Sequence, residues 1–170
     1  MIKITITEAL AEVKLITQKI ESKTSFISEH VAWSSKLKDP LESSGGSTVI
    51  ISQELQAIRD LSERLVLLRG KITESNMTTF LTLGKVNRCI SDWLIWRREV
   101  APLLNKLYLS MSNSAKTVAA RSFSKSEATE DVSMSISWKD LSDWSQALQI
   151  ILGELDGKLS LLNARTEIEL

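Results

Sequence analysis

An apolar stripe in the middle of the chain constrains the fold more than any other feature. Large aliphatic residues recur there at steps of three or four positions: Leu55, Ile58, Leu61, Leu65, Leu68 and Ile72. This spacing follows the 3.6-residue turn of an α-helix, so all six side chains fall on one face. The charged residues of the same segment lie mostly off that face, as expected where a helix meets water. The segment therefore predicts an amphipathic helix that buries one side.

Three further segments carry the same period and predict three further long helices. In the first of them, isoleucine or valine recurs at seven-residue intervals, a heptad-like pattern typical of coiled coils. Pro102 lies inside the second and predicts a kink or break, because proline removes a backbone hydrogen bond. Thr7 and Ser52 are the predicted N-caps of the first two helices of the chain. The three predicted ranges are about 8–35, 82–111 and 139–163.

Both ends of the chain alternate apolar and polar residues, which predicts short β-strands that pair with each other. A third alternation at residues 132–136 predicts another short strand. The predicted fold class is mainly α: an antiparallel bundle of four long amphipathic helices with short terminal β-strands, in a single domain, 1–170. Residues rich in Gly, Ser, Thr or Asp interrupt the helical pattern. They predict loops at about 36–51 and 113–131, and a turn at 75–79.

The charge balance and the hydropathy pattern argue against two classes of partner. Lys+Arg and Asp+Glu both number 21, so the formal net charge is zero. Nucleic-acid binding needs an excess of cations, and we therefore predict no nucleic-acid partner. No stretch approaches the ~20 apolar residues of a membrane-spanning helix, and the first residues lack the apolar core of a signal peptide. We predict no transmembrane segment, no signal peptide and a cytoplasmic or virion location.

The residues that carry most catalytic and metal chemistry are nearly absent. His30 is the single histidine and Cys89 the single cysteine, and they lie far apart in the sequence. A zinc site needs several His or Cys ligands, and a Ser-His pair would need an orienting carboxylate beside His30. The chain has no phosphate-binding glycine motif. We therefore predict a protein that is not an enzyme, with no catalytic residues, no metal site and no cofactor.

The tryptophans are unusual for a chain with so few aromatic residues. Five are present, and two interpretations of them remain open. They fill the core of the chain itself, or some of them fill an interface with another chain, where tryptophan is enriched. The candidate interface residues are Trp33, Trp93, Trp96, Trp138 and Trp144.

Arg97 occupies a position in the third apolar stripe where a hydrophobic residue is expected. One interpretation is a buried arginine that is ion-paired across the bundle. The other is an arginine whose stem packs while its guanidinium reaches water, and we favour it because charged residues are rarely fully buried.

Three segments carry a resemblance to a known family: LVLLRGKITESN at residues 65–76, the helix from Ile90 to Val100, and the tail from LDGKL at residues 155–159 through Asn163 to Thr166 and Glu167. In these segments the chain resembles a family of small helical proteins, the septicolysin-like proteins of bacteria and their phages. The resemblance covers about half the chain and includes an extended segment before the last helix. It implies a helical fold, and the family's name implies a toxin-like activity without fixed catalytic residues.

The sequence thus favours a non-enzymatic structural or assembly protein. Such a protein acts as a homo-oligomer or as a component of a larger complex of structural proteins, a phage virion being one example. Zero net charge supports self-association, because no long-range repulsion opposes it. The alternative is a membrane-active, cytolysin-like protein.

Overall fold

The computed structural model describes residues 2–34, 36–124 and 135–170, with side chains up to residue 118 in the second range. The fold is mainly α, with four long helical stretches and short β-strands, which confirms the predicted fold class. A 3₁₀ turn at Glu42–Ser44 precedes the second long helix. The elements are β1 (Lys3–Thr5), α1 (Ile6–His30), α2 (Ser47–Thr78), β2 (Phe80–Leu83), β3 (Val86–Cys89), α3 (Ile90–Ile95), a π-helical segment (Trp96–Val100), α4 (Ala101–Ser124), α5 (Trp138–Arg165) and β4 (Glu167–Glu169).

The elements form two compact units where the sequence predicts one domain. Unit 1 comprises Met1–Ser75 together with Leu162–Leu170, and unit 2 comprises Asn76–Leu161. The long helices α2 and α5 therefore each contribute residues to both units.

The two ends of the chain meet in unit 1, as the sequence predicts. Strands β1 and β4 pair antiparallel, with Ile4 opposite Ile168. Lys3 lies opposite Glu169, and the two side chains form an exposed ion pair with 3.2 Å between Nζ and Oε1. This two-stranded ladder ties the first and last residues of the unit to each other.

The N-cap of helix α1 lies two residues earlier than predicted. The cap is Thr5 rather than Thr7: the Thr5 hydroxyl accepts a hydrogen bond from the Glu8 backbone N–H, and Glu8 accepts one from the Thr5 N–H. This reciprocal capping box satisfies two backbone donors at once. Hydrogen bonds from the Thr5 backbone and hydroxyl lower the pKa of the Glu8 carboxyl, against the opposing effect of desolvation.

Helix α2 also begins earlier than predicted, at Ser47 rather than near Ser52. The Asp39 carboxylate accepts hydrogen bonds from the Leu41 N–H, at 2.8 Å, and from the N–H and hydroxyl of the fully buried Ser47. Gly45 and Gly46 adopt positive φ angles of 106° and 91°, which glycine tolerates best. The predicted loop at 36–51 is therefore wrong over its last five residues, since a side chain outside the helix sets the start.

The core of unit 1 lies between α1, α2 and β4. Ion pairs on its rim join α1 to α2: Arg64 Nε lies 2.8 Å from Glu12 Oε1, and Lys23 Nζ lies 2.6 Å from Glu54 Oε2. Burying each large aliphatic side chain in such a cluster contributes about 1.5–3 kcal/mol relative to exposure. The buried residues are Ile6, Ala9, Val13, Ile16, Leu68, Ile72 and Ile168.

Unit 2 contains a β-hairpin at the position where the sequence predicts the start of the third helix. Helix α2 continues to Thr78 through the predicted turn at 75–79, and β2 and β3 then pair antiparallel, with Leu83 opposite Val86. The two-residue turn has a positive φ of 56° at Gly84 and none at Lys85, which fits a type II′ hairpin turn. Residues near Thr82 therefore form a strand.

The third long helical stretch accommodates Pro102 without a break. The Ala101 N–H donates to the Trp96 carbonyl, five residues back, so the helix widens into a π turn just before the proline. A proline ring clashes with the carbonyl four residues earlier in a regular α-helix, and the wider turn explains how the helix continues as α4. Helix α4 extends to Ser124, so the predicted loop at 113–131 is wrong over 113–124. The remainder of that loop lies outside the described residues.

The last long helix, α5, agrees with its predicted range to within two residues at each end. Of the strand predicted at 132–136, only the end falls within the described residues, and residues 135–137 are not a strand. The buried apolar residues of unit 2 come from β2, the α3–α4 stretch and α5. They are Leu81, Leu83, Ile90, Trp93, Ala101, Leu141, Leu148, Leu155 and Leu159.

Candidate interaction surface

One face of the helix from Val100, the last residue of the π turn, along α4 carries a line of exposed residues at heptad spacing, which we call the α4 stripe. Its first three members are apolar and well exposed: Val100 at 39%, Leu103 at 67% and Leu107 at 50%. Small hydroxyl residues continue the line. The positions alternate by three and four residues, which is the spacing that holds side chains on one seam of a helix. The α4 stripe is Val100, Leu103, Leu107, Ser110, Ser114 and Thr117, all exposed.

The opposite face of α4 packs within unit 2. Ala101 is buried and Tyr108 is half-buried. The Tyr108 ring lies against Trp144 of α5, with 6.2 Å between the ring centroids. Helix α4 therefore covers one face with its own unit, and the α4 stripe lies on a different face.

Two charged residues of opposite sign lie along one edge of the α4 stripe. Glu99 is four residues before Leu103 and Lys106 is three residues after it, so each is about one helical turn away. Both side chains are exposed. The other edge is apolar, because Leu104 and Met111 are half-buried there. The α4 stripe thus has one charged edge and one uncharged edge.

The candidate interface tryptophans of unit 2 do not all lie at its surface. Trp93 is 3% exposed, and its Nε1–H donates to the Leu81 carbonyl at 2.9 Å. Trp96 is half-buried with its ring edge-on to Trp93, and the Arg88 guanidinium lies 5.2 Å from the Trp93 ring centre. Trp93 is therefore a core residue of unit 2, which corrects its assignment to an interface: its indole finds both a hydrogen bond and a packed environment within its own unit.

The remaining three tryptophans are exposed. Trp33 follows α1 in unit 1. Trp144 contacts Tyr108 but keeps 43% of its surface exposed. Trp138 lines an open groove of about 480 Å³ between α4 and α5, together with Tyr108 and Leu109. These exposed rings add apolar surface to each unit, and none of them lies in the α4 stripe.

Arg97 forms the ion pair that the sequence suggested, but not in a buried position. Its guanidinium lies 3.0 Å from Oδ1 of Asp156 on α5, and about half of each side chain is exposed. A buried ion pair is therefore the wrong interpretation, because both side chains of the pair remain in contact with solvent. The pair lies beside an open groove of about 600 Å³ that is also lined by Asn105 and Gln149.

The single histidine and the single cysteine each form a hydrogen bond to a backbone group three or four residues away. His30 Nδ1 lies 2.8 Å from the Phe26 carbonyl oxygen, which can only accept, and the two rings stack. Cys89 is the N-cap of α3: its Sγ accepts a hydrogen bond from the Asp92 N–H at 3.4 Å. Within residues 2–34, 36–124 and 135–170, no three His, Cys, Asp or Glu side chains are grouped to hold a metal ion.

In the part of the chain that the structure describes, no helix combines the length and the apolar character needed to cross a membrane.

Comparison with known proteins supports the fold. No protein-family model matches the chain, and no curated protein matches it either. The chain is similar to the crystal structure of a functionally unknown conserved protein from Corynebacterium diphtheriae, with a TM-score of 0.65 and 15% sequence identity. The similarity covers 99% of this chain and 100% of that one. At this identity the similarity shows a shared fold and nothing about activity.

Proposed function

We propose that this protein is a non-enzymatic structural or assembly protein that functions as a homo-oligomer or within a larger complex of structural proteins. A phage particle is one such complex. The observation that carries the proposal is the α4 stripe, where Leu103 and Leu107 keep half or more of their surface exposed. Contiguous exposed apolar side chains on a soluble helix are typical of interaction sites.

The local roles of the reactive residues support the same proposal. The Cys89 thiol accepts a backbone hydrogen bond at the start of α3, and the His30 ring is hydrogen-bonded to its own helix. Each side chain stabilises a helix end, so neither needs a catalytic role to explain its position. The exposed rings of Trp138 and Trp144 further suit binding, because tryptophan contributes much contact area per residue.

The alternative is a membrane-active, cytolysin-like protein, which the resemblance to septicolysin-like proteins suggests. An exposed apolar stripe on a helix also suits insertion into a membrane interface. The charge on such a helix would then face lipid headgroups. The charges that border the α4 stripe are balanced, with Glu99 against Lys106, but the sequence of α4 as a whole has three basic residues and no acidic one, which would attract anionic lipid. The balanced border favours protein contacts at the stripe itself, and the vesicle measurement below decides between the two.

Two measurements on the purified full-length chain test the proposal. Sedimentation equilibrium gives the mass in solution, and release of a trapped dye from vesicles of neutral and anionic phospholipid gives membrane activity. We expect a mass that is a multiple of the monomer and no dye release. The matched control is the variant Leu109→Asp, which places a charge on α4 away from the α4 stripe and should leave both results unchanged.

A monomer that releases dye would overturn the proposal in favour of the cytolysin-like alternative. A monomer without dye release would remove the homo-oligomer and leave a role within a larger complex, which must then appear as co-sedimentation with that complex at native concentration.

A further inference from the structure

We propose that the α4 stripe is a self-pairing surface, on which α4 of a second copy of this chain lies antiparallel around a two-fold axis near Leu103. This inference rests on the proposed function and names the partner of its surface. The partner is identified by three features of α4: the spacing of the stripe, the size of its residues and the charges along its edge.

The spacing of the α4 stripe suits a second helix better than a flat surface. Positions that alternate by three and four residues form a single seam, and such a seam buries most of its area against another helix packed nearly alongside. At 1.5 Å per residue, the 18 positions from Val100 to Thr117 extend over about 27 Å. The apolar contacts come from Val100, Leu103 and Leu107, which are all exposed.

Residue size gives the seam a graded shape. The large side chains lie at the N-terminal end of the α4 stripe, and the small hydroxyl residues Ser110 and Ser114 follow them. A two-fold axis near Leu103 lets the large residues of one copy pack against those of the other. Beyond the large residues, Ser110 and Ser114 face the stretch of the second copy that precedes Val100, which includes Trp96, and their small side chains leave room for it.

The charges on the edge of the α4 stripe select both the partner and its direction. An antiparallel arrangement around Leu103 places Glu99 of each copy beside Lys106 of the other, so both charge pairs are attractive. A parallel arrangement places the charged edge against the other edge, where Leu104 and Met111 offer no charge and Arg97, one heptad before Leu104, is already paired with Asp156. Edge charges of this kind set partner choice and orientation in paired helices.

Glu99 already forms an ion pair within its own chain, and this pair competes only weakly with the proposed pairing to a second copy. Its Oε1 accepts a hydrogen bond from the neighbouring Arg98 guanidinium at 2.8 Å. Both side chains are more than half exposed. Exposed ion pairs of this kind contribute little to stability, so Glu99 remains able to face Lys106 of a second copy.

Charge reversal in the full-length chain tests the pairing. The dissociation constant is measured by sedimentation equilibrium from about 1 to 200 µM, a range that covers weak dimers. Glu99→Lys or Lys106→Glu makes both cross-pairs repulsive, and we expect each to raise the dissociation constant at least about tenfold. The double variant restores attraction with the signs exchanged and should return the constant to that of the wild type. Added salt should reduce the differences in dissociation constant among the wild type, the two single variants and the double variant.

Two matched controls separate this surface from the rest of α4. Lys116→Glu makes the same charge change away from the α4 stripe and should leave the dissociation constant unchanged. Leu103→Asp should give a monomer whose helical circular dichroism is unaltered. Leu109→Asp should keep both the circular dichroism and the dissociation constant of the wild type. If Leu103→Asp fails to fold, the charge-reversal set still decides the question, because Glu99 and Lys106 are both exposed.

Each other outcome overturns a defined part of the inference. An oligomer that survives Leu103→Asp and both single reversals overturns the α4 surface but leaves the proposed assembly role standing. A dimer that the double reversal fails to restore overturns the antiparallel arrangement. A wild-type protein that is monomeric throughout the concentration range overturns the self-pairing altogether, and the vesicle measurement then decides whether the proposed function falls with it.

Discussion

The apolar stripes of α2 and α4 have the same helical spacing in the sequence, but the structure buries the C-terminal part of the α2 stripe and leaves the α4 stripe exposed. In unit 1, Leu68 of α2 is fully buried and Ile72 nearly so, against α1 and β4. In unit 2, Leu103 and Leu107 of α4 remain at least half exposed. The difference lies in what surrounds each helix, since the α1 helix and the terminal strand ladder both pack on α2 near Leu68.

The comparison shows that periodicity predicts a helix and its apolar face but not what covers that face. Even α2 varies along its own stripe: Leu55, near its start, is exposed, whereas Leu68 is not. Burying the apolar face of a helix requires other helices or strands that pack against the same turns of that helix. Where the described residues do not supply them, the apolar side chains stay exposed, and on α4 this exposure is the basis of the proposed interaction surface.

The strongest test of the comparison places a carboxylate on each stripe. Leu68→Asp should unfold the protein or make it insoluble, because a buried unpaired carboxylate costs several kcal/mol against a total stability of roughly 5–15 kcal/mol. Leu103→Asp should leave the protein folded, because Leu103 is largely exposed. Circular dichroism and thermal melting measure both.

Val66→Asp is the control for the substitution within α2, because Val66 is 71% exposed on the same helix. Its melting temperature should stay close to that of the wild type. If Leu103→Asp unfolds the chain as completely as Leu68→Asp does, α4 is part of the folding core and the contrast between the two stripes disappears.

A second test compares two tryptophans of unit 2. Trp93→Phe removes the indole N–H that donates to the Leu81 carbonyl inside the core. Losing that hydrogen bond, together with the space left by the smaller ring, should lower the free energy of unfolding by about 1–3 kcal/mol. Trp144→Phe, at a 43% exposed position, should change it by less than about 0.5 kcal/mol. Chemical denaturation gives both values, and equal losses would show that Trp144 is as much a core residue as Trp93.

The helices of unit 1 were predictable because their sequence signals are redundant. Stripe residues of α1 and α2 repeat over several turns, and the alternation at both chain ends gave the paired strands β1 and β4. The starts of these helices were predicted less well. Asp39 lies eight residues before Ser47 in sequence, so its contact with the start of α2 is a tertiary feature that no local pattern reports.

Unit 2 was harder because its signals are short and conflict with one another. Leu81 and Leu83 are buried while Phe80 and Thr82 are exposed, a period of two that does indicate a strand. Four alternating residues are a weaker signal than the long helical stripe that follows them. The turn at Gly84 also lacks the Asn-Gly pair that is commoner in two-residue hairpins. The π turn before Pro102 and the burial of Trp93 depend on packing, which the sequence alone does not specify.

The start of α1 provides a smaller test, because two threonines compete as its N-cap. Thr5→Ala removes the hydroxyl that accepts the Glu8 N–H and should lower the free energy of unfolding by about 1 kcal/mol. Thr7→Ala lies one residue inside the helix and should have little effect, or should stabilise slightly through its helix propensity. Thermal melting of the two variants decides between the caps, and a larger loss from Thr7→Ala would move the start of α1 to the position predicted from the sequence.

The smallest expected effect concerns the start of α2 and its dependence on pH. Partial desolvation raises the pKa of Asp39, but hydrogen bonds from Ser47 and Leu41 outweigh it and hold the pKa below its usual value. A carboxyl with a lowered pKa in the folded state contributes stability that is complete above the unfolded pKa, near 3.9. That contribution is lost as the pH falls through the folded pKa, because protonation then favours the unfolded chain.

Asp39→Asn removes this titration while keeping the side-chain shape. The melting temperature of the variant should therefore fall below that of the wild type above about pH 4, and the two should converge as the pH falls further. Glu42→Gln is the matched control, because Glu42 is an exposed carboxyl in the same loop whose side chain does not cap α2. Helix α4 has no such carboxylate cap at its start, since it continues directly from the π turn at Trp96–Val100. A difference between wild type and Asp39→Asn that stays constant across the acidic range would mean that hydrogen-bond geometry, and not the charge of Asp39, determines where α2 begins.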